Sequence, residues 1–161
     1  MEIIEISQAN DYLAEMVALF RVELRSYKGI VSKPNVDAGR EEMEEYLSAG
    51  FPVFAAIVDG QYAGYVVCRV DSEVVWVESI FVKEEYRRHG VATALHSKAE
   101  KIAASYGEET VYNYVHPNNH RMIGFLRKRG YTVLNLIEIR KPYRGEKLTE
   151  VIRVGEHQFD Y

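Results

Sequence analysis

The chain of 161 residues reads as one α/β (α+β) domain, 1–161: a mixed, mostly antiparallel twisted sheet of about seven strands with about four flanking helices. Two observations predict this. Strand formers arrive first as an antiparallel group around Asp59-Gly60, a dipeptide suited to a two-residue hairpin, and later alternate with helical stretches in β-α-β fashion. With 47% hydrophobic residues, the sequence also carries enough apolar side chains for one sizeable core.

Alternation over Glu2 to Ser7 predicts a first strand. Leu13, Met16, Val17, Phe20 and Leu24 then recur at helical spacing with charges between them, the mark of an amphipathic helix. Gly29 and Pro34 turn Ser26 to Asn35 into a loop. Asp37 is the expected cap of a second helix running to about Ser48, with Gly50 just past its end. Val53 to Val58 and Tyr62 to Val70 form the hairpin, and Val74 to Val82 a third long strand. Val91, Leu95, Ala99, Ile102 and Tyr106 trace one face of a helix that Gly107 ends. Thr110 to His116 reads as a strand, and Asn118 or Asn119 caps a short helix whose last turn is basic before Gly130. Tyr131 to Ile139 and Leu148 to Val154 complete the strands, leaving Gly155 to Tyr161 as an unpaired tail.

Charge and composition exclude several functions. Lys+Arg 20 against Asp+Glu 24 give a net charge of -4, which offers nucleic acid or an anionic membrane no general attraction. Cys68, the lone cysteine, forbids an internal disulfide and points to a reducing compartment. The acidic start Met1-Glu2-Ile3-Ile4-Glu5 is unlike a secretory signal, and no apolar run approaches the roughly 20 residues of a membrane span. A cytoplasmic protein is expected. His116 and His120 flank Pro117-Asn118-Asn119, but no third ligand has metal-site spacing, so no metal is expected.

The stretch Val82-Lys83-Glu84-Glu85-Tyr86-Arg87-Arg88-His89-Gly90-Val91-Ala92 joins the third long strand to a helix. A helix N-terminus exposes unpaired N–H groups and partial positive charge, Gly90 and Ala92 keep the approach open, and Arg87 and Arg88 add cationic donors. A diphosphate suits this corner. The run Trp76 to Ala103 resembles the acyl-CoA-binding signature of the GNAT superfamily of N-acyltransferases, with Arg87, Gly90 and Ala92 in its three fixed places. Asn119, Gly130 and Tyr131 are similar to the second signature of that family, and Ala55 to Val67 to its central hairpin; the likeness covers Ile3 to about Val154.

The resemblance implies a sheet splayed between the strand ending at Val82 and the strand at Thr110 to His116, with acetyl-CoA as co-substrate in the gap. It implies pantetheine pairing with backbone at Ile80, Phe81 and Val82, and a pyrophosphate resting on the amides of Arg88, His89, Gly90, Val91, Ala92 and Thr93. Asn119 is either the side chain for the pantetheine arm or a helix cap.

An amine attacks a thioester only as the free base, so a proton acceptor is needed. Glu78 interrupts an apolar strand and is the candidate base; the other reading has it facing solvent or pairing with an arginine. The Val82 N–H is the candidate donor to the thioester oxygen. Where the family carries a tyrosine that protonates the departing thiolate, this chain has Leu126; Tyr112, Tyr114 or Tyr131 can substitute, or the thiolate leaves unaided. Four carboxylates in Arg40-Glu41-Glu42-Met43-Glu44-Glu45 either steer a cationic amine or form a solvated face. The function expected is N-acetyl transfer from acetyl-CoA to a primary amine, on a peptide or a small molecule, by direct attack in a ternary complex. The competing expectation is a catalytically silent acyl-CoA-binding sensor or interaction module. Exposed edges and an extra C-terminal strand suit a homodimer.

Overall fold

The apolar stretch from Ala63 to Cys68 becomes the centre of a sheet, and the elements on either side of it take their places from that strand. A computed structural model describes residues 1–161 and separates them into two units, Met1–Phe125 and Leu126–Tyr161. In the first unit the strands are β1 (Glu2–Glu5), β2 (Val53–Val58), β3 (Gln61–Asp71), β4 (Val74–Val82) and β5 (Tyr112–Asn113), in that spatial order. Pairing is antiparallel from β1 to β4 and parallel between β4 and β5, so the sheet is mixed, as the sequence predicts. The turn between β2 and β3 places Asp59 and Gly60 at φ 48 and 78, the left-handed pair that a tight hairpin demands. Ala63 through Cys68 of β3 are all buried, which is why that strand reads as a continuous apolar run rather than an alternation.

Helices α1 (Asp11–Ser26) and α2 (Val36–Ser48) pack on each other, and α1 lies against β3 and β4. Leu13, Met16, Val17 and Met43 form a core with Val53, Tyr65, Val67 and Phe81. Asn10 caps α1 by accepting from the Leu13 N–H at 3.0 Å. Asn35, not Asp37, caps α2: its side chain accepts from the Ala38 N–H at 3.1 Å, and the helix begins one residue before Asp37. Gly39 permits the close crossing, since a Cβ there would lie 2.2 Å from the Ala14 carbonyl oxygen. Helix α3 (Val91–Ser105) packs against β2, β3 and β4, burying Val91, Leu95, Ala99 and Ala103.

The sheet does not extend as far as expected. Only Tyr112 and Asn113 of the Thr110 to His116 stretch pair with β4, opposite Trp76 and Val77. Beyond Val77, β4 carries an extra residue: Val67 faces Ser79 and Cys68 faces Val77, leaving Glu78 without a cross-strand partner. Such a bulge bends the strand that carries it, and β4 leaves β5 there.

Helix α4 (His120–Lys128) follows, with Asn119 as its cap through the Met122 N–H at 3.0 Å. In the second unit, Tyr131 to Ile139 forms no strand. Val133, Leu134, Leu136 and Ile139 are exposed, and strand-forming residues without a paired neighbour do not make a ladder. The tail is not unpaired either: β6 (Val151–Val154) and β7 (His157–Asp160) form a hairpin turned at Gly155, φ 61. The seven strands therefore lie in a five-stranded and a two-stranded sheet. No helix is long and apolar enough to cross a membrane.

Candidate active site

The departure of β4 from β5 opens a cleft lined by Glu78, Ser79 and Ile80 on one side and by Asn113, Tyr114, His116 and Asn119 on the other, with Phe20 and Leu24 of α1 completing it. Its β4 wall has a defined hydrogen-bonding polarity. The Lys83 N–H donates to the Ala63 carbonyl at 2.9 Å, so Lys83 faces β3, and the alternation of an antiparallel ladder turns Phe81 the same way. Ile80, which lines the cleft, and Val82 therefore turn their backbone groups away from β3, the Val82 carbonyl accepting from Arg87 Nε at 2.8 Å. Of the three residues expected to pair with pantetheine, Phe81 lies opposite Tyr65 with its backbone groups on the β3 side.

Past Val82 the chain makes one turn of 3-10 helix, Glu84–Tyr86, and enters α3 through Gly90 at φ 81 and ψ -1. Arg88 also has positive φ, 69. Gly90 offers no side chain to cap α3, and from Arg88 onward the first amide bonded within the chain is that of Ala94, to the Gly90 carbonyl at 3.0 Å. A Cβ built on Gly90 meets nothing within 4 Å. An open cradle rimmed by uncapped amides at a helix N-terminus fits a diphosphate.

Arg87, expected at the phosphate, makes its contacts within the chain. Its Nε donates to the Val82 carbonyl at 2.8 Å, its Nη2 to Glu23 Oε2 at 2.8 Å, and its guanidinium lies 5.6 Å from the Phe81 ring centre. The side chain is thus turned back onto the protein. The neighbouring Arg88 and His89 carry no such internal bonds, and His89 is exposed at the turn.

A model described as the Acetyltransferase (GNAT) family matches residues 16–131, well over half of the chain. The chain belongs to that family. It is 30% identical over 111 residues to an N-alpha-acetyltransferase of Saccharolobus solfataricus, an alignment covering 61% of this chain and 65% of the relative. A second N-alpha-acetyltransferase, from Sulfurisphaera tokodaii, is 31% identical over 114 residues, covering 60% of this chain and 64% of the relative. The chain thus spans a little under two thirds of the length of these curated relatives. Among solved structures, AAC(6')-Iy in complex with the bisubstrate analogue CoA-S-monomethyl-acetylneamine superposes with TM-score 0.63 at 23% identity, over 89% of this chain and 100% of that one. That likeness concerns the fold.

In this GNAT chain Glu78 reaches the cleft from the bulge, and its Oε2 accepts from Arg69 Nε at 3.1 Å. The side chains of Glu78 and Arg69 are 30% and 28% exposed. The arginine stacks 4.3 Å over the Trp76 ring, which itself lies 5.6 Å from Tyr112. Tyr114 lines the cleft and is largely exposed. Tyr131 belongs to the second unit, where its N–H donates to the Leu126 carbonyl at 3.1 Å. Asn119 lines the cleft as well as capping α4. Burial, aided by Lys28, pushes the His116 imidazole below its ordinary 6.5, and the ring stacks on Tyr27 at 5.8 Å.

Of the acidic run on α2, Glu42 is spent internally: Arg21 grips both its oxygens, and the Tyr46 hydroxyl donates to it at 2.6 Å. Burial pushes the Tyr46 and Tyr65 hydroxyls far above the usual tyrosine range, so both stay protonated; Tyr65 is bonded to Ser79 at 2.8 Å. The side chains that sequence reasoning missed are Glu23, Tyr27 and Arg69. Glu23 had a signal, since it falls three residues after Phe20 on the apolar stripe of α1, where a carboxylate calls for a partner.

Proposed function

We propose that the protein is an acetyl-CoA-dependent N-acetyltransferase that binds the diphosphate on the amides of Arg88 to Thr93 and pantetheine along Ile80 and Val82, and acetylates a peptide α-amine. The separation of β4 from β5 after Val77 is the observation that carries this reading, because it leaves a strand edge facing a cleft beside an uncapped helix N-terminus. The bound co-substrate supplies the acetyl group as a thioester. Val82 N–H donates to the carbonyl oxygen as negative charge gathers there. Glu78 takes the amine's proton, directly or through water, while Arg69 and the bulge fix the carboxylate at the cleft. The nitrogen–carbon bond forms as the carbon–sulfur bond breaks, and Tyr114, which lines the cleft, is the proton source for the departing thiolate.

The acceptor class is supported by the name of the curated relatives and by chemistry. A peptide α-amine has an unperturbed pKa of about 7.7–8.0 against about 10.4 for lysine, so it demands less of an ion-paired carboxylate. Release of CoA measured against α-amino peptides, lysine peptides, polyamines and aminoglycosides tests the proposal; the α-amino peptides should turn over fastest. Leu126 in the place of the family tyrosine favours a second reading, a silent binding module. Tight acetyl-CoA binding with no CoA release on any acceptor would establish that one instead.

A further inference from the structure

Glu23 collects three donors from three separate segments of the first unit. Its Oε2 accepts from Arg87 at 2.8 Å; its Oε1 accepts from the Tyr27 hydroxyl at 2.7 Å and from Arg121 Nη2 at 2.5 Å. Tyr27 extends the connection, since its ring stacks on His116 and its carbonyl accepts from Asn118 Nδ2 at 3.0 Å. Arg87 is simultaneously bonded to the Val82 carbonyl. One carboxylate on α1 therefore joins the end of β4 and its phosphate turn to the β5–α4 segment across the cleft.

We propose that Glu23 is a positioning residue for acetyl transfer: acting through Arg87, it fixes the peptide plane that follows Val82 and the entry to the phosphate turn, and through Tyr27 and Arg121 it fixes the opposite wall. The physical basis is the fork geometry of arginine. A guanidinium can donate to a carbonyl and a carboxylate at once, and holding both ends removes its freedom to swing towards a phosphate. Glu23 and Arg87 are each about one-fifth exposed, 23% and 22%, so the pair is shielded enough to hold its geometry. The arrangement explains why Arg87 occupies the first place of the loop motif although its side chain is turned away from the cradle. The positioning role rests on the proposed activity only for its kinetic consequences.

The test compares E23Q, R87K and the double variant with the parent protein. E23Q keeps the size of the side chain but removes the charge and one acceptor, and R87K leaves an ammonium that cannot span both Val82 and Glu23. In the ligand-free protein, E23Q should shift or broaden the Val82 and Lys83 backbone amide resonances. In the assay, either variant should lower kcat and weaken acetyl-CoA binding about tenfold, with little change in KM for the amine, because misplacement of the reacting groups affects turnover more than acceptor binding. The double variant should lose little more than either single one. Unmoved resonances together with unchanged kcat, or a double variant whose losses simply multiply, would overturn the role even if the melting temperature fell. A parent protein that failed to bind acetyl-CoA would sink the proposed activity, yet the ligand-free resonances would still decide whether Glu23 holds the end of β4.

Discussion

Gly90→Ala separates the backbone requirement of the phosphate turn from its ligand-binding role. In the free protein the new methyl group meets nothing within 4 Å, so the substitution adds no clash. What it adds is left-handed strain at φ 81, about 1 kcal/mol. For a chain of this size that lowers the melting temperature by roughly 2–4 °C. Binding suffers more. The methyl group rises into the space assigned to the diphosphate, and losing one charge-assisted N–H···O bond costs about 1.5–3 kcal/mol. Acetyl-CoA should therefore bind roughly tenfold to 150-fold more weakly. Calorimetric titration measures the affinity and a thermal melt the stability. Gly90→Asn provides the control, since asparagine tolerates the left-handed region better than alanine but still projects a side chain. Its stability should recover while its affinity does not. Unaltered acetyl-CoA affinity in both variants would show that the diphosphate lies elsewhere.

Three other outcomes are expected. Gly39→Ala should destabilise the fold by about 1–3 kcal/mol, because its Cβ would sit 2.2 Å from the Ala14 carbonyl and the two helices must separate; a chemical melt checks this, and acetyl-CoA affinity of the folded protein should be unchanged. Glu78→Gln should reduce kcat by about 100-fold or more without altering acetyl-CoA affinity, and Arg69→Ala should change the pH profile of kcat by freeing the carboxylate; a flat response to both would remove Glu78 from the chemistry. Burial pushes the Cys68 thiol up from 9.0 to about 12. The folded state thus favours the neutral thiol, and the stability this contributes is full below pH 9.0 and lost as pH rises towards 12. A thiol reagent at about pH 8 should leave the native protein unmodified and label the urea-unfolded chain once.

The five-stranded sheet and its helices are largely legible in the sequence because their signals are local: Asp59-Gly60 for the hairpin, helical spacing for α1 and α3, and the Arg87-Arg88-His89-Gly90 corner for the site. The differences arise where structure depends on distant partners. Tyr131 to Ile139 has strand composition, but composition supplies no ladder. Thr110 to His116 shortens to Tyr112–Asn113 at the bulge of Glu78, a register property of β3 and β4 together that no single segment announces. The orientation of the Arg87 side chain is hidden from the sequence for the same reason. Its charge and place in the loop are plain in the sequence, whereas Glu23, which turns its side chain inward, lies 64 residues away.

The bulge at Glu78 also bears on self-association. A strand edge with free donors ordinarily recruits a neighbouring polypeptide, and proteins guard such edges with charges, prolines or covering helices. Here the open edge lies between β4 and the segment after β5, with α1 beside it. Phe20 and Leu24 of α1 and Met122 of α4 border the same cleft, so apolar side chains stand beside the edge that the bulge uncovers. One surplus residue thus opens a strand edge in the interior of a sheet rather than at its rim, where neighbouring elements already flank it.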